Sequence, residues 1–127
     1  MHELSLAMAL VEQVERVRDR EKADAVVSVT VDIGALSGVS RESFEFAFPI
    51  AVEGTALAGA MLMVEETPVG VTCDDCGLQS QPDKVNLLCA KCGSSRIQIT
   101  AGRDFFVKEV QLRFDDDRAG ADSKKGE

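Results

Sequence analysis

Four cysteines constrain this chain more than any other feature. Cys73, Cys76, Cys89 and Cys92 follow the spacing C-x2-C-x12-C-x2-C, written "CDDCG" and "CAKCG". Two residues between thiolates let one turn of chain aim both sulfurs at a single tetrahedral Zn(II), about 2.3 Å from each. Gly77 and Gly93 follow the two pairs and supply permissive backbone there. Four thiolates saturate zinc and leave no position for water or substrate, so the spacing points to a structural site rather than a catalytic one. An iron–sulfur cluster or redox dithiols are the alternatives. Residues 67–104 hold few large apolar side chains beyond Leu78, Val85, Leu87, Leu88, Ile97 and Ile99. Metal binding, worth about 10–16 kcal/mol in small zinc peptides, is what would stabilise so thin a lobe.

The remaining chain reads as a second lobe around this segment. From Leu4 the apolar positions Leu4, Ala7, Met8, Val11, Val14 and Val17 recur at helical spacing, which predicts one buried stripe. "AVVSVTVDIG" alternates, with Val27, Val29, Val31 and Ile33 on one face and Ser28, Thr30 and Asp32 on the other, as in a half-buried strand. Ser40 is placed to cap a second helix with Phe44, Ala47, Phe48 and Ala51 inward, and Pro49 is expected to kink or end it. A strand over 60–66 follows, and a last one over "FFVKEVQLRF", with Phe106, Lys108, Val110, Leu112 and Phe114 sharing a face, returns to the first sheet. The fold class is therefore α+β: a two-layer α/β lobe of three strands and two helices, with an inserted four-cysteine, zinc-ribbon-like lobe. Its boundaries are 1–66 plus 105–114 for the α/β lobe, 67–104 for the zinc lobe, and 115–127 for a tail with no apolar periodicity, expected to be disordered.

Charge narrows the partners. Fourteen Lys and Arg stand against 22 Asp and Glu, a net −8 that is poor for holding a phosphate backbone. The zinc lobe is balanced at four acids and four bases, so protein contact is favoured over nucleic acid there as well. No run approaches the roughly 20 apolar residues of a membrane span, and no basic segment followed by an apolar run opens the chain. A cytoplasmic protein is expected, and cysteines in a reducing compartment hold metal more readily than they form disulfides. Enzymatic chemistry finds little footing. There is no second histidine to pair with a nucleophile and no glycine-rich phosphate loop, and Glu65 and Glu66 are strand neighbours facing opposite sides.

The single histidine is His2, in the opening "MHELSLAM". The Met1 amine, the His2 backbone nitrogen and its Nδ1 can close a five- and a six-membered chelate ring around one metal. Deprotonating an amide for a metal bond suits Ni(II) or Cu(II) in square-planar geometry. A fourth donor would come from the amide or carboxylate of Glu3, or from elsewhere. Methionine removal generally needs a small second residue, so the Met1 amine is expected to remain. The bland alternative is an incidental histidine on a frayed tip.

"MHELSLAMALVEQV", "VTVDIGALSGVSRESFEFAF" and the two cysteine knuckles, in that order over roughly residues 1–113, resemble the HypA/HybF family of nickel-insertion accessory proteins for nickel–iron hydrogenases. The resemblance implies a nickel metallochaperone with Ni(II) as cargo at Met1, His2 and Glu3, and structural Zn(II) at Cys73, Cys76, Cys89 and Cys92. It also implies as partners the GTPase maturation factor HypB and the hydrogenase large-subunit precursor, with the chain a monomer or a homodimer. Two departures stand out: Pro49 falls where the family's helix continues without proline, and no second histidine is available to add to the nickel. The rival reading is a zinc-ribbon adaptor that binds protein and carries no transition metal.

Overall fold

The computed structural model describes residues 2–115. The elements are α1 (His2–Glu21), β1 (Ala25–Gly34), α2 (Arg41–Val52), β2 (Met61–Thr67), β3 (Gly70–Cys73), β4 (Gln79–Ser80), β5 (Ile97–Ala101) and β6 (Phe105–Arg113). They make two helices and two three-stranded sheets, ordered β2-β1-β6 and β4-β3-β5. The last long strand does return to the first sheet, beside β1. Among the described residues two compact units result: 2–31, 40–63 and 107–115 form one, and Asp32–Val39 and Val64–Phe106 the other. Apart from Asp115, the C-terminal tail expected to be disordered lies outside the described residues.

In the first unit, α1 and α2 pack on each other through Ala7, Leu10, Val11 and Val14 of α1 and Phe44, Ala47, Phe48 and Val52 of α2. Phe44 and Phe48 meet at 6.3 Å between ring centroids, tilted by 38°. Leu57 is fully buried, and Glu15 accepts the backbone N–H of Ala56 at 3.0 Å, tying α1 to the turn after α2. The expected stripe on α1 is corrected at one position: Met8 is exposed and Leu10 is buried instead. The helix places the branched Leu10 inward and leaves the longer, flexible Met8 at the edge of the apolar sector.

Three other expectations need correction. Helix α2 runs through Pro49 to Val52 rather than stopping at the proline. Pro49 sits in the last turn, and both it and Glu45, whose carbonyl loses its partner, are exposed, so water can replace the missing bond. Strand β1 is buried on both sides, not one: Ser28, Thr30 and Asp32 are buried along with Val29 and Val31, while Val27 is exposed. Polar partners make this tolerable, since Ser28 Oγ donates to Gln111 Oε1 at 3.1 Å and the Thr67 hydroxyl donates to the Asp32 carboxylate at 2.7 Å. In β6 the expected apolar face breaks: Phe106 and Lys108 are exposed, and inward positions change parity between Val107 and Val110.

The second unit contains three short strands beyond those expected from the sequence. β3 pairs antiparallel with β4 (Val71 opposite Ser80) and with β5 (Thr72 opposite Gln98, Cys73 opposite Ile97), with a bulge between Gly70 and Val71. Its buried apolar residues are few: Ile33, Val69, Val71, Cys73 and Cys89. Two of those five are cysteines, so the small core is organised in large part on the sulfur cluster.

Candidate metal sites

The two cysteine pairs are built alike. Cys73 ends β3, and the backbone then turns so that Gly77 N donates to the Cys73 carbonyl at 2.9 Å and Cys73 N to the Leu78 carbonyl at 3.0 Å. The second pair repeats this, with Gly93 N on the Cys89 carbonyl at 3.0 Å and Cys89 N on the Ser94 carbonyl at 2.9 Å. Gly77 and Gly93 take φ of 78° and 76°, the left-handed region in which a side chain is strained, so each glycine closes its knuckle as the sequence suggests.

Each knuckle aims backbone N–H groups at its first sulfur: Asp75 and Cys76 at Cys73 Sγ (3.3 and 3.4 Å), and Lys91 and Cys92 at Cys89 Sγ (both 3.4 Å). The amides of Cys92 and Lys91 lower the Cys89 thiol to about 6. All four sulfurs lie within 4.8 Å of one another, with Cys73–Cys92 and Cys76–Cys89 both at 3.6 Å. A tetrahedron with metal–sulfur bonds of about 2.3 Å has edges of about 3.8 Å. The donor set and its spacing therefore fit Zn(II), whose charge lets all four thiols ionise together. Cys73 and Cys89 are buried, and Cys76 and Cys92 are exposed.

A ring of polar contacts links the knuckles, and sequence reasoning did not find it. Ser94 Oγ donates to Asp75 Oδ2, Arg96 Nε lies 3.2 Å from Asp75 Oδ1, and Gln98 Nε2 donates to Asp74 Oδ2 at 3.1 Å. The available signal was the pair of acids inside "CDDCG" facing the "SSRIQ" that follows the second knuckle.

At the other end of the chain, His2 is exposed and is the first residue of α1. Met1 lies outside the described residues. Glu3 is anchored to the neighbouring helix: its Oε2 accepts the Ser40 backbone N–H at 3.1 Å. Ser40 is the N-cap of α2, its Oγ accepting from Ser43 N at 3.2 Å, as expected for this position. The Ser40 amide holds the Glu3 carboxyl below the usual carboxylate range. Among the described residues, the four cysteines are the only group of three or more His, Cys, Asp or Glu side chains close enough to share a metal. No third such side chain joins His2 and Glu3 there.

Residues 1–112 match the protein family described as "Hydrogenase/urease nickel incorporation, metallochaperone, hypA". This chain belongs to the HypA family. It is thus a nickel metallochaperone of hydrogenase maturation and not an enzyme. The hydrogenase maturation factor HypA of Aquifex aeolicus is 38% identical over 115 residues, covering 91% of this chain and all of that protein. The HypA of Nitrosospira multiformis is 42% identical over 113 residues, covering 88% of this chain and 97% of that one. Two solution structures share the fold. The nickel metallochaperone HypA from Helicobacter pylori superposes with a TM-score of 0.64 at 24% identity, over 89% of this chain and 98% of that one. A second HypA protein gives 0.69 at 26% identity, over 91% and 98%. Among the described residues, no helix is long and apolar enough to cross a membrane.

Proposed function

We propose that the chain holds its Ni(II) cargo at the amino terminus, through the Met1 amine, the His2 backbone nitrogen and His2 Nδ1, with Glu3 completing or orienting the site. The observation that carries this reading is His2 at the first position of α1. The first four N–H groups of a helix have no intrahelical acceptor, so giving up the His2 amide proton to a metal costs no helical hydrogen bond. Because His2 is exposed, the cargo can leave by ligand exchange. The anchoring of Glu3 to Ser40 gives the exposed site a fixed base. In this reading residues 1–66 with 105–114 carry nickel, and residues 67–104 carry a structural zinc at Cys73, Cys76, Cys89 and Cys92.

Membership of the family supports partners within the hydrogenase maturation machinery. The GTPase HypB is the proposed source or co-carrier of nickel, and the hydrogenase large-subunit precursor its recipient, with the exchange taking place in the cytoplasm.

The test is calorimetric Ni(II) titration of untagged protein with Met1 intact, wild type against His2→Ala, with bound zinc quantified in both. The expected result is the loss of about one nickel per chain in the variant with one zinc retained. Unchanged nickel binding would move the cargo site away from the terminus and favour the zinc-ribbon adaptor.

A further inference from the structure

Beside the amino terminus, within the first unit, α1 and α2 enclose an open groove of about 390 Å³ lined by Glu3, Leu4, Glu42, Ser43, Phe46, Ala47 and Ile50. Its apolar wall is largely exposed. Phe46 is 76% exposed and Ile50, one turn further along α2, is 51% exposed. A soluble surface carries single exposed apolar residues without consequence, but a phenylalanine and an isoleucine at i and i+4 beside a cavity mark an interaction surface. Met8, one turn beyond Leu4 on α1, is also exposed and adds a side chain of the adaptable kind used at such surfaces.

The charged residues lining the groove are both acids, Glu3 and Glu42. The Glu3 carboxylate is held at the groove by the Ser40 backbone N–H, which donates to its Oε2 at 3.1 Å. The neighbouring Arg41 is turned along α2 to Glu45, Nε to Oε2 at 3.0 Å, and does not line the groove.

We propose that this groove docks a helical segment of another protein that presents an apolar stripe flanked by Lys or Arg. The inference rests on the nickel reading only for its significance: a partner seated here would lie against Glu3 and Leu4, next to His2. Three observations select this occupant. A small apolar ligand would leave Phe46 in water, whereas a helix face covers both turns of α2 at once. A second copy of this chain, meeting through the same patch, would set Glu3 and Glu42 against their own like charges. Residues 116–127 of the chain contain no Leu, Ile, Val, Met or Phe to fill an apolar groove.

The test uses the full-length zinc-loaded chain, nickel-free, labelled for amide NMR. The probe is a synthetic peptide of about 18 residues, amphipathic, with leucine and lysine at helical spacing, and the control replaces every lysine with glutamate. The expected result is saturable binding of the lysine peptide with shifts centred on Leu4, Phe46, Ala47 and Ile50. Affinity should fall about tenfold in Phe46→Ser, and the glutamate peptide should show no comparable binding. Equal binding by both peptides, shifts centred elsewhere, or unchanged affinity in Phe46→Ser at an unchanged melting midpoint would overturn the proposal. So would sedimentation showing that Phe46→Ser converts a dimer to a monomer, which would make a second copy the occupant. Nickel titration of the same samples separates the two readings: loss of nickel binding in His2→Ala with peptide binding intact leaves both standing, and nickel bound equally by His2→Ala removes the cargo site without touching the groove result.

Discussion

Glu3, in the first turn of α1, accepts the backbone N–H of Ser40, the residue that caps α2, across a 3.1 Å hydrogen bond. One contact thus couples the residue after His2 to the start of the neighbouring helix. The folded chain favours the ionised carboxylate, so the contact contributes stability above the unfolded-state carboxyl value of about 4.3 and loses it as pH falls through the lower folded value. Glu3→Gln should therefore lower the melting midpoint at about pH 6 and converge on wild type as the solution is acidified. Thermal melts of both proteins across that range check this; a difference that stays constant with pH would mean that the carboxylate charge is not what matters.

Zinc removal should act locally. With only Ile33, Val69, Val71, Cys73 and Cys89 as its buried apolar residues, the second unit has little to hold it once the sulfurs lose their metal. Chelation should expose the amides of Val71, Thr72, Ile97 and Ile99 to rapid hydrogen exchange while those of Leu10, Val11 and Val14 stay protected. Within the same site, Ser94→Ala removes the donor to Asp75. The cost of about 0.5–1.5 kcal/mol should appear as up to about a tenfold loss of zinc affinity, read by competition with a coloured chelator.

Gly34 illustrates a purely steric requirement. A Cβ there would lie 2.5 Å from the carbonyl carbon and oxygen of Gly102 and 2.8 Å from the Asp104 oxygen, all backbone atoms that cannot swing aside. Gly34→Ala should cost about 1–3 kcal/mol and lower the melting midpoint by several degrees. At Gly38 nothing lies within 4 Å, so Gly38→Ala should cost only the left-handed backbone penalty of about 1–2 kcal/mol. A Gly34→Ala protein as stable as wild type would show that the strands there separate freely.

Pro49 is tolerated rather than required. Pro49→Ala restores an N–H to the last turn of α2 at an exposed position, and should stabilise the chain by about 1 kcal/mol. Urea denaturation checks this through a raised midpoint at unchanged slope. A lowered midpoint would mean that the proline rigidifies the helix end usefully.

What could be read from the sequence follows from how local each feature is. The cysteine knuckles, the Ser40 cap and the buried Phe44 and Phe48 are set by spacing of a few residues, and the structure has them as expected. Periodicity misjudged Met8 and Phe106, because a hydrophobic residue can sit at the edge of a buried sector, or beyond a change of strand parity, without altering the pattern. It also missed the burial of Ser28, Thr30 and Asp32; Ser28 and Asp32 find their partners Gln111 and Thr67 far away in sequence. β4 has two residues, too short for alternation to register, whereas β5 does alternate, with Ile97, Ile99 and Ala101 less exposed than Gln98 and Thr100, and was passed over inside the metal-held segment. The Glu3–Ser40 and Asp75–Ser94 contacts span 37 and 19 residues and depend on which elements meet, which spacing does not encode.

The alternation of buried Cys73 and Cys89 with exposed Cys76 and Cys92 makes the cluster approachable from one side only. Thiophilic toxic ions such as Cd(II) would meet the outer sulfurs first and exchange for zinc through them, while the buried Cys73 and Cys89 still hold the ion. The lobe would then be poisoned by substitution, keeping its shape while carrying the wrong ion.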